Sequence, residues 1–204
     1  MTPPSCLSDA GAELAADASV VINLSATGRY ETIVDALPNR LVVVDVVEQE
    51  LEFGRSVGRT DAIALDDLKG AGQVTIVSLD GSAQETFRTL VEGSAVETLD
   101  DGEAATISYA AGYSATALID ERKANRICEQ QFPDVYRGAT VDIVAHPAVI
   151  DALGPAGHQE AVFNALYYGK MRVLPHHQEW IVDVVGPDRI SHCKSLPRHL
   201  RTDL

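Results

Sequence analysis

Short apolar runs that alternate with helical segments constrain the fold of this chain more than any other feature of its sequence. Leu41 to Val44 and Val74 to Leu79 are rich in β-branched residues and predict buried strands. The segments between such runs carry apolar residues at helical spacing, as in Arg29 to Leu37. Strands separated by helices need crossover connections, which are typical of parallel neighbours. We therefore expect an α/β fold of three α/β/α layers with a mainly parallel central sheet.

The remaining segments continue this alternation. The predicted strands are 13–17, 41–44, 74–79, 116–120 and 140–144. The predicted helices are 29–37, 46–54, 61–68, 82–91, 101–111, 121–132, 147–153, 158–171 and 177–185. Ser19 to Leu24 fits either state, because its β-branching favours a strand while its length and flanks favour a helix.

Length and composition predict one domain in an intracellular setting. A chain of 204 residues with 46% hydrophobic content can bury a substantial core. The apolar runs are too short to cross a bilayer, and no basic segment precedes an apolar secretory stretch, so a cytoplasmic location and no membrane partner are expected. The three cysteines Cys6, Cys128 and Cys193 lack the spacing of a disulfide framework or a zinc site and are expected to be ordinary thiols.

The formal net charge of -14 argues against simple binding of nucleic acid over the whole surface. Contacts with phosphates would need a local basic patch. The candidates are the group Arg122, Lys123 and Arg126, and the tail from Arg189 to Arg201, which includes Lys194 and Arg198. Short basic groups on helices are more often solvated faces than binding sites.

Four acidic residues lie at or beside the ends of predicted elements: Asp17, Glu50, Glu103 and Asp120. Each follows or accompanies an apolar segment, as in Leu118-Ile119-Asp120, so a core element would anchor it while its oxygens face the crevice where strands end. Clustered carboxylates repel one another and have raised pKa values unless a cation neutralises them. The arrangement predicts a carboxylate site for a hard divalent cation.

Each of these residues also has a structural interpretation. Asp17 and Glu103 stand where helix capping or the helix dipole alone would account for an acid. Because a sequence does not determine side-chain direction, Glu121 is an alternative site residue to Asp120, and Glu48 is an alternative to Glu50.

Other residues with metal-binding or base-stacking chemistry have structural explanations too. His176, His177 and His192 with Cys193 are more readily explained as surface or satisfied side chains than as metal ligands. Tyr167, Tyr168 and Trp180 could stack on bases, although aromatic residues on amphipathic helices usually belong to the core or to an oligomer contact.

Taken in order, four segments of the sequence resemble the PIN-domain nucleases, and in particular the branch found beside small antitoxin-like proteins in prokaryotic genomes. The segments are Asp17-Ala18-Ser19 with Ile22-Asn23-Leu24, Val47-Glu48-Gln49-Glu50-Leu51, Asp101-Gly102-Glu103-Ala104-Ala105, and Leu118-Ile119-Asp120-Glu121-Arg122-Lys123-Ala124. The resemblance covers roughly residues 13–175. It leaves residues 1–12 as a flexible N-terminal extension and residues 176–204 as a C-terminal helix and basic tail packed on the same domain.

The resemblance implies an endoribonuclease that holds Mg²⁺ or Mn²⁺ through Asp17, Glu50, Glu103 and Asp120. It implies that 19–24 is helical and that Ser19 and Asn23 hydrogen-bond to the acidic residues. RNA is the implied substrate, a toxin or defence effector the implied role, and an antitoxin-like protein and a second copy of the chain the implied candidate partners. The alternative interpretations are a catalytically inactive PIN-fold binding or regulatory module, and a metal-dependent phosphatase or DNA nuclease that uses the same carboxylates.

Overall fold

The computed structural model describes residues 7, 9–92 and 98–202. Most of the predicted N-terminal extension, with Cys6, lies outside the described residues. The central sheet has five strands in the order β3-β2-β1-β4-β5, and all neighbouring pairs are parallel. The strands are β1 (Leu14–Ala16), β2 (Leu41–Val44), β3 (Val74–Val77), β4 (Thr116–Leu118) and β5 (Arg137–Gly138). The predicted α/β architecture with a parallel sheet is confirmed.

Helices connect the strands and cover both faces of the sheet. They are α1 (Ala18–Ala26), α2 (Tyr30–Ala36), α3 (Asp45–Ser56), α4 (Asp61–Gly70), α5 (Gly81–Val91), α6 (Asp101–Tyr113), α7 (Arg122–Gln131), α8 (Thr140–Val144), α9 (Pro147–Tyr167), α10 (Gln178–Val185), α11 (Pro187–Ile190) and α12 (Arg198–Thr202). The segment 19–24, for which the sequence pattern allowed either state, belongs to α1. A 3-10 turn (Pro175–His177) precedes α10.

The prediction of a strand at 140–144 is wrong, because this segment is α8. Its N-terminus is stabilised by Asp142, whose Oδ2 accepts a hydrogen bond from the backbone N–H of Ala139 at 2.8 Å. The Thr140 N–H also donates to Asp120 Oδ1 at 2.8 Å. These two bonds satisfy backbone donors at the start of a helix, so they outweigh the β propensity of Thr140, Val141 and Ile143. The fifth strand is the shorter segment Arg137–Gly138.

The prediction of separate helices at 147–153 and 158–171 is confirmed, although the second helix ends at Tyr167. The range of α9, Pro147–Tyr167, contains two helices that meet at Gly154, whose φ of 64° and ψ of 166° are not helical. Pro155 follows and cannot donate a backbone hydrogen bond, which is tolerated in the first turn of the second helix but not in a helix interior.

Alternate residues of the strands face two separate hydrophobic clusters. Leu14 of β1 and Val43 of β2 point to one cluster, whereas Ala15 and Val42 point to the other. The first cluster also includes Trp180, Ile181, Cys193 and Leu196 from the C-terminal region, all of which are buried. The elements after α9 therefore share the core beneath one face of the sheet.

None of the helices in the described part of the chain combines the length and apolar character that crossing a membrane requires. Cys128 and Cys193 are both buried free thiols.

Candidate functional site

The carboxyl ends of the two central strands place two acidic residues side by side. In the parallel register Ala16 of β1 faces Leu118 of β4, and the Asp17 N–H donates to the Leu118 carbonyl at 3.2 Å. Asp17 follows β1 directly, and Asp120 follows β4 by two residues. Parallel strands end at the same edge of a sheet, so the fold brings together two residues that are distant in the sequence.

Asp17 is buried and caps helix α1. Its side chain is 4% exposed, and its Oδ2 accepts hydrogen bonds from the Ser19 N–H at 3.2 Å and from Ser19 Oγ at 2.7 Å. Burial raises the pKa of Asp17, although the bonds from Ser19 lower it, and the nearby charge of Asp100 raises it further. The capping interpretation of Asp17 is therefore correct. The bonds from Ser19 use Oδ2, whereas Oδ1 lies beside Gly102 of α6.

Asp120 is 2% exposed and is held by three hydrogen bonds. Oδ1 accepts from the Thr140 N–H at 2.8 Å, while Oδ2 accepts from Thr140 Oγ1 at 2.5 Å and from Asn23 Nδ2 at 2.6 Å. Burial raises the pKa of Asp120 to about 6 despite these donors, and the charge of Asp17 contributes to the rise. This carboxylate is fixed in position from α1, β4 and α8 at once.

Glu50 reaches the same place from α3, which begins immediately after β2. Gly102 of α6 makes this possible because it has no side chain. A Cβ built on Gly102 would lie 2.5 Å from Glu50 Oε2 and 3.1 Å from Asp17 Oδ1. Two carboxylate oxygens from different elements thus occupy the space beside one glycine. Burial is the largest cause that raises the pKa of Glu50, followed by the charge of Asp17.

Glu103 is half-buried in the first turn of α6. Burial raises its pKa to about 7, and the charges of Asp17 and Asp100 contribute to that rise. The charge of Asp17 therefore contributes to the raised pKa of each of the three other predicted residues.

All four predicted acidic residues line a single cavity of about 290 Å³. The remaining lining residues include the small or polar side chains of Ser19 and Asn23 and the basic side chains of Lys170 and Arg172. Within residues 7, 9–92 and 98–202, no set of three or more His, Cys, Asp or Glu side chains is close enough to count as a preformed metal-ligand group. The acidic residues surround a common space without yet converging on one point.

Asp100 is an acidic lining residue that the sequence reasoning missed. It is the residue before α6, with extended backbone, and its charge raises the pKa of Asp17, Glu50 and Glu103. The signal was present in the run Leu99-Asp100-Asp101-Gly102, where a helix start follows a buried leucine.

The structure distinguishes the predicted acids from their sequence neighbours. Glu48 pairs with Lys69 of α4, and it does not line the cavity, whereas Glu50 does. Glu121 does line the cavity, but its Oε1 accepts from Arg172 Nη1 at 2.5 Å, and its side chain is 31% exposed. Asp120 is the more buried of that adjacent pair and accepts three hydrogen bonds.

The histidine and aromatic candidates lie outside the acidic cavity. His177 is fully buried with Nε2 3.5 Å from Asp142 Oδ1, while His176 is exposed. Trp180 is 5% exposed and its ring centroid lies 5.7 Å from that of His158, so it belongs to the core. Tyr168 is 66% exposed and meets Tyr167 edge-on at 4.9 Å.

Comparison with known proteins gives one family match. A family model described as DUF3368, PIN domain, matches residues 13–135, which is more than half of the chain. That range includes Asp17, Glu50, Glu103 and Asp120, whereas Thr140, Lys170 and Arg172 lie beyond it. Neither the search of curated proteins nor the search of solved structures found a match.

Proposed function

The chain belongs to the PIN-domain family, and on this premise we propose that it is an endoribonuclease that depends on Mg²⁺ or Mn²⁺. PIN domains are in general nucleases that use divalent metal ions, and PIN nucleases act on RNA. The observation that carries the proposal is the acidic cavity at the carboxyl edge of the sheet, to which Asp17, Glu50, Glu103 and Asp120 come from four different places in the chain.

The residues of the cavity suit a hard divalent cation by their chemistry. Carboxylate oxygens are preferred ligands of Mg²⁺ and Mn²⁺. Desolvation and, after it, repulsion by Asp17 raise the pKa of Glu50 and Glu103, and the repulsion is relieved when positive charge enters. The space beside Gly102 already holds oxygens of Glu50 and Asp17, which supports these two as ligands.

When bound, the metal ion would supply Lewis-acid stabilisation of the phosphodiester and an activated water. The protein's own contribution is to bury Asp17 and Asp120 and to hold them in position, whereas Glu50 reaches the cavity from an exposed position on α3. Ser19 orients Asp17, and Asn23 and Thr140 orient Asp120, so both carboxylates are fixed before any ligand binds. Without a cation, the negative cavity would repel a phosphodiester.

Replacement of Asp17 by Asn tests the proposal, because Asn caps a helix as well as Asp does and the fold of α1 should be retained. Labelled RNA and DNA are incubated with the wild type and with Asp17→Asn, with and without Mn²⁺. Asp35→Asn, which removes one exposed carboxylate on α2, is the matched control. We expect RNA cleavage by the wild type and the control only when Mn²⁺ is present. Equal cleavage by Asp17→Asn, or cleavage that ignores metal, contradicts the proposal.

The second candidate is a catalytically inactive PIN-fold module, favoured by the absence of a preformed ligand group among the described residues. In that case neither RNA nor DNA is lost from the wild-type reaction with Mn²⁺. Loss of DNA alone would identify a DNA nuclease with the same carboxylates.

We further propose a toxin or defence role, with an antitoxin-like protein as inhibitor. Expression of the wild type is then expected to impair growth, and expression of Asp17→Asn is not. Equal growth of both strains would refute this role without bearing on cleavage in vitro.

A further inference from the structure

A second cavity, beside the acidic one, brings together basic residues that are far apart in the sequence. It has a volume of about 680 Å³, and its charged lining residues are Arg122, Lys170, Arg172 and Lys194. Within the described part of the chain, no Asp or Glu lines it. We name it the basic cavity. In a chain of net charge -14, four positive charges around one space are a marked local exception.

The basic cavity adjoins the acidic cavity. Lys170 and Arg172 line both cavities, so both positive charges are available to a ligand that extends from one cavity into the other. Arg172 is anchored there by Glu121 at 2.5 Å, yet its side chain remains 57% exposed. Its guanidinium therefore keeps N–H donors for a further anion.

Lys170 occupies an unusual backbone conformation at this junction. Its φ is 61°, in the left-handed region that favours glycine over other residues. Its Nζ donates to the Tyr167 carbonyl and lies 5.2 Å from the Tyr167 ring centroid. A strained position that retains a charged side chain is a common feature of functional sites.

Arg122 and Lys194 complete the basic cavity from distant parts of the sequence. Arg122 begins α7, two residues after Asp120, and Lys194 lies in the segment between α11 and α12. Both side chains are exposed, and neither has an acidic partner within 4.0 Å among the described residues. The two basic groups that the sequence offered separately, near 122 and near 194, thus contribute to one surface.

We propose that the basic cavity binds the phosphate backbone of single-stranded RNA next to the scissile bond. The inference rests on the proposed function and assigns part of the substrate site to Lys170, Arg172 and Lys194, which lie beyond the matched residues 13–135. Arginine presents a fork of donors that fits phosphate oxygens, and lysine offers a mobile point charge. Because the rest of the molecule is acidic overall, the positive charge of the basic cavity sets the direction in which the RNA extends from the acidic cavity.

Arg122 and Lys194 are the residues to vary, because they line the basic cavity and not the acidic one. Binding of a short labelled single-stranded RNA is measured with EDTA present, over a range of salt concentrations, for the wild type and Arg122→Ala/Lys194→Ala. The control is Arg29→Ala/Arg88→Ala, which removes two exposed arginines that line neither cavity. Thermal unfolding verifies that all three proteins are folded.

Each lost phosphate contact is expected to reduce the slope of log K against log salt by about 0.7, so the Arg122→Ala/Lys194→Ala slope should be smaller by about 1.4. The control slope should equal that of the wild type. With Mn²⁺, the same variant should raise KM for RNA and leave kcat unchanged, because these contacts form equally in the ground and transition states.

An unchanged slope, a loss shared equally by the control, or no RNA binding by the wild type at low salt overturns the subsite. An unchanged slope would instead favour an acidic protein segment as the ligand of the basic cavity. The binding measurement needs no catalysis. A reduced slope without any cleavage in Mn²⁺ therefore supports the RNA-binding role of the basic cavity and refutes only the nuclease activity. Cleavage with an unchanged slope supports the nuclease activity and refutes only the RNA-binding role of the basic cavity.

Discussion

In the presence of a chelator, raising the pH is expected to weaken the folded state through Asp120. The side chain is 2% exposed, and burial raises its pKa from 3.8 to about 6. A carboxyl group with a higher pKa in the folded than in the unfolded state takes up a proton on folding. Its contribution to stability is therefore fully present below the unfolded pKa and is lost as pH rises through the folded pKa. The window runs from about pH 4 to about pH 7.

The magnitude follows from the difference between the two pKa values. Two pKa units correspond to about 3 kcal/mol over the whole window, and roughly half of that falls between pH 5 and pH 8. Glu103, with a pKa raised to about 7, acts in the same direction, but it is only half-buried and solvent screening reduces its effect. A decline of this size is measurable against a typical total of about 5–15 kcal/mol.

Urea denaturation in EDTA at several pH values between 5 and 8 provides the measurement. The free energy of unfolding of the wild type should fall as pH rises. In Asp120→Asn the decline should be smaller by about 1–2 kcal/mol, whatever the absolute stability of the variant. Asp35→Asn, on the surface, should decline as the wild type does. A wild-type stability that is constant or increases over this range, or an Asp120→Asn curve parallel to it, would refute the reasoning.

Addition of Mn²⁺ should oppose this trend. Metal binding requires ionised carboxylates, so the stabilisation by Mn²⁺ should increase as pH rises through about 6 to 7. The unfolding midpoint with Mn²⁺ minus that with EDTA is the quantity to compare. A difference that is the same at pH 5 and pH 8 would show that the raised carboxyl pKa values are not coupled to metal binding.

Three further perturbations follow from individual contacts. Gly102→Ala should lower metal-dependent kcat/KM by about a hundredfold with little change in Tm. The new Cβ would displace the oxygens of Glu50 and Asp17, which lie 2.5 and 3.1 Å from its position. Wild-type activity in this variant would contradict the proposed site. Gly169→Ala should lower the free energy of unfolding by about 1–3 kcal/mol in urea denaturation, because its Cβ would meet the Ala165 carbonyl oxygen at 2.7 Å; an unchanged stability would disprove the overlap. Asp17→Asn should lower the pKa of Glu50, measured by NMR titration of the carboxyl carbon, because the Asp17 charge raises it in the wild type; an unaltered titration would show that the two groups do not interact.

Much of the fold could be predicted from local pattern. The apolar run Leu41–Val44 is a strand with the predicted bounds, and parallel pairing follows from the helices between strands. The positions of Asp17 and Asp120 after strand ends predicted that both lie at one edge of the sheet, because parallel strands terminate there, whereas the pairing of β1 with β4 that makes them neighbours is seen only in the structure. The residue roles proposed for the site remain predictions.

The tertiary structure decided what depends on side-chain direction and on partners far along the chain. Glu50 enters the cavity and Glu48 does not, because the packing of α3 against α4 and α6 sets the rotation of the helix. Thr140 starts a helix because Asp120, twenty residues earlier, accepts its N–H. Arg122 and Lys194 share a cavity although 72 positions separate them.

The sequence by itself thus determined most of the strand–helix alternation and four of the acidic residues that line the cavity, since hydrophobic periodicity and strand ends are local properties. Which acids meet, what holds them and where positive charge gathers were decided only by packing, because contacts between residues distant in the chain form when the core closes and leave no periodic signal in the sequence.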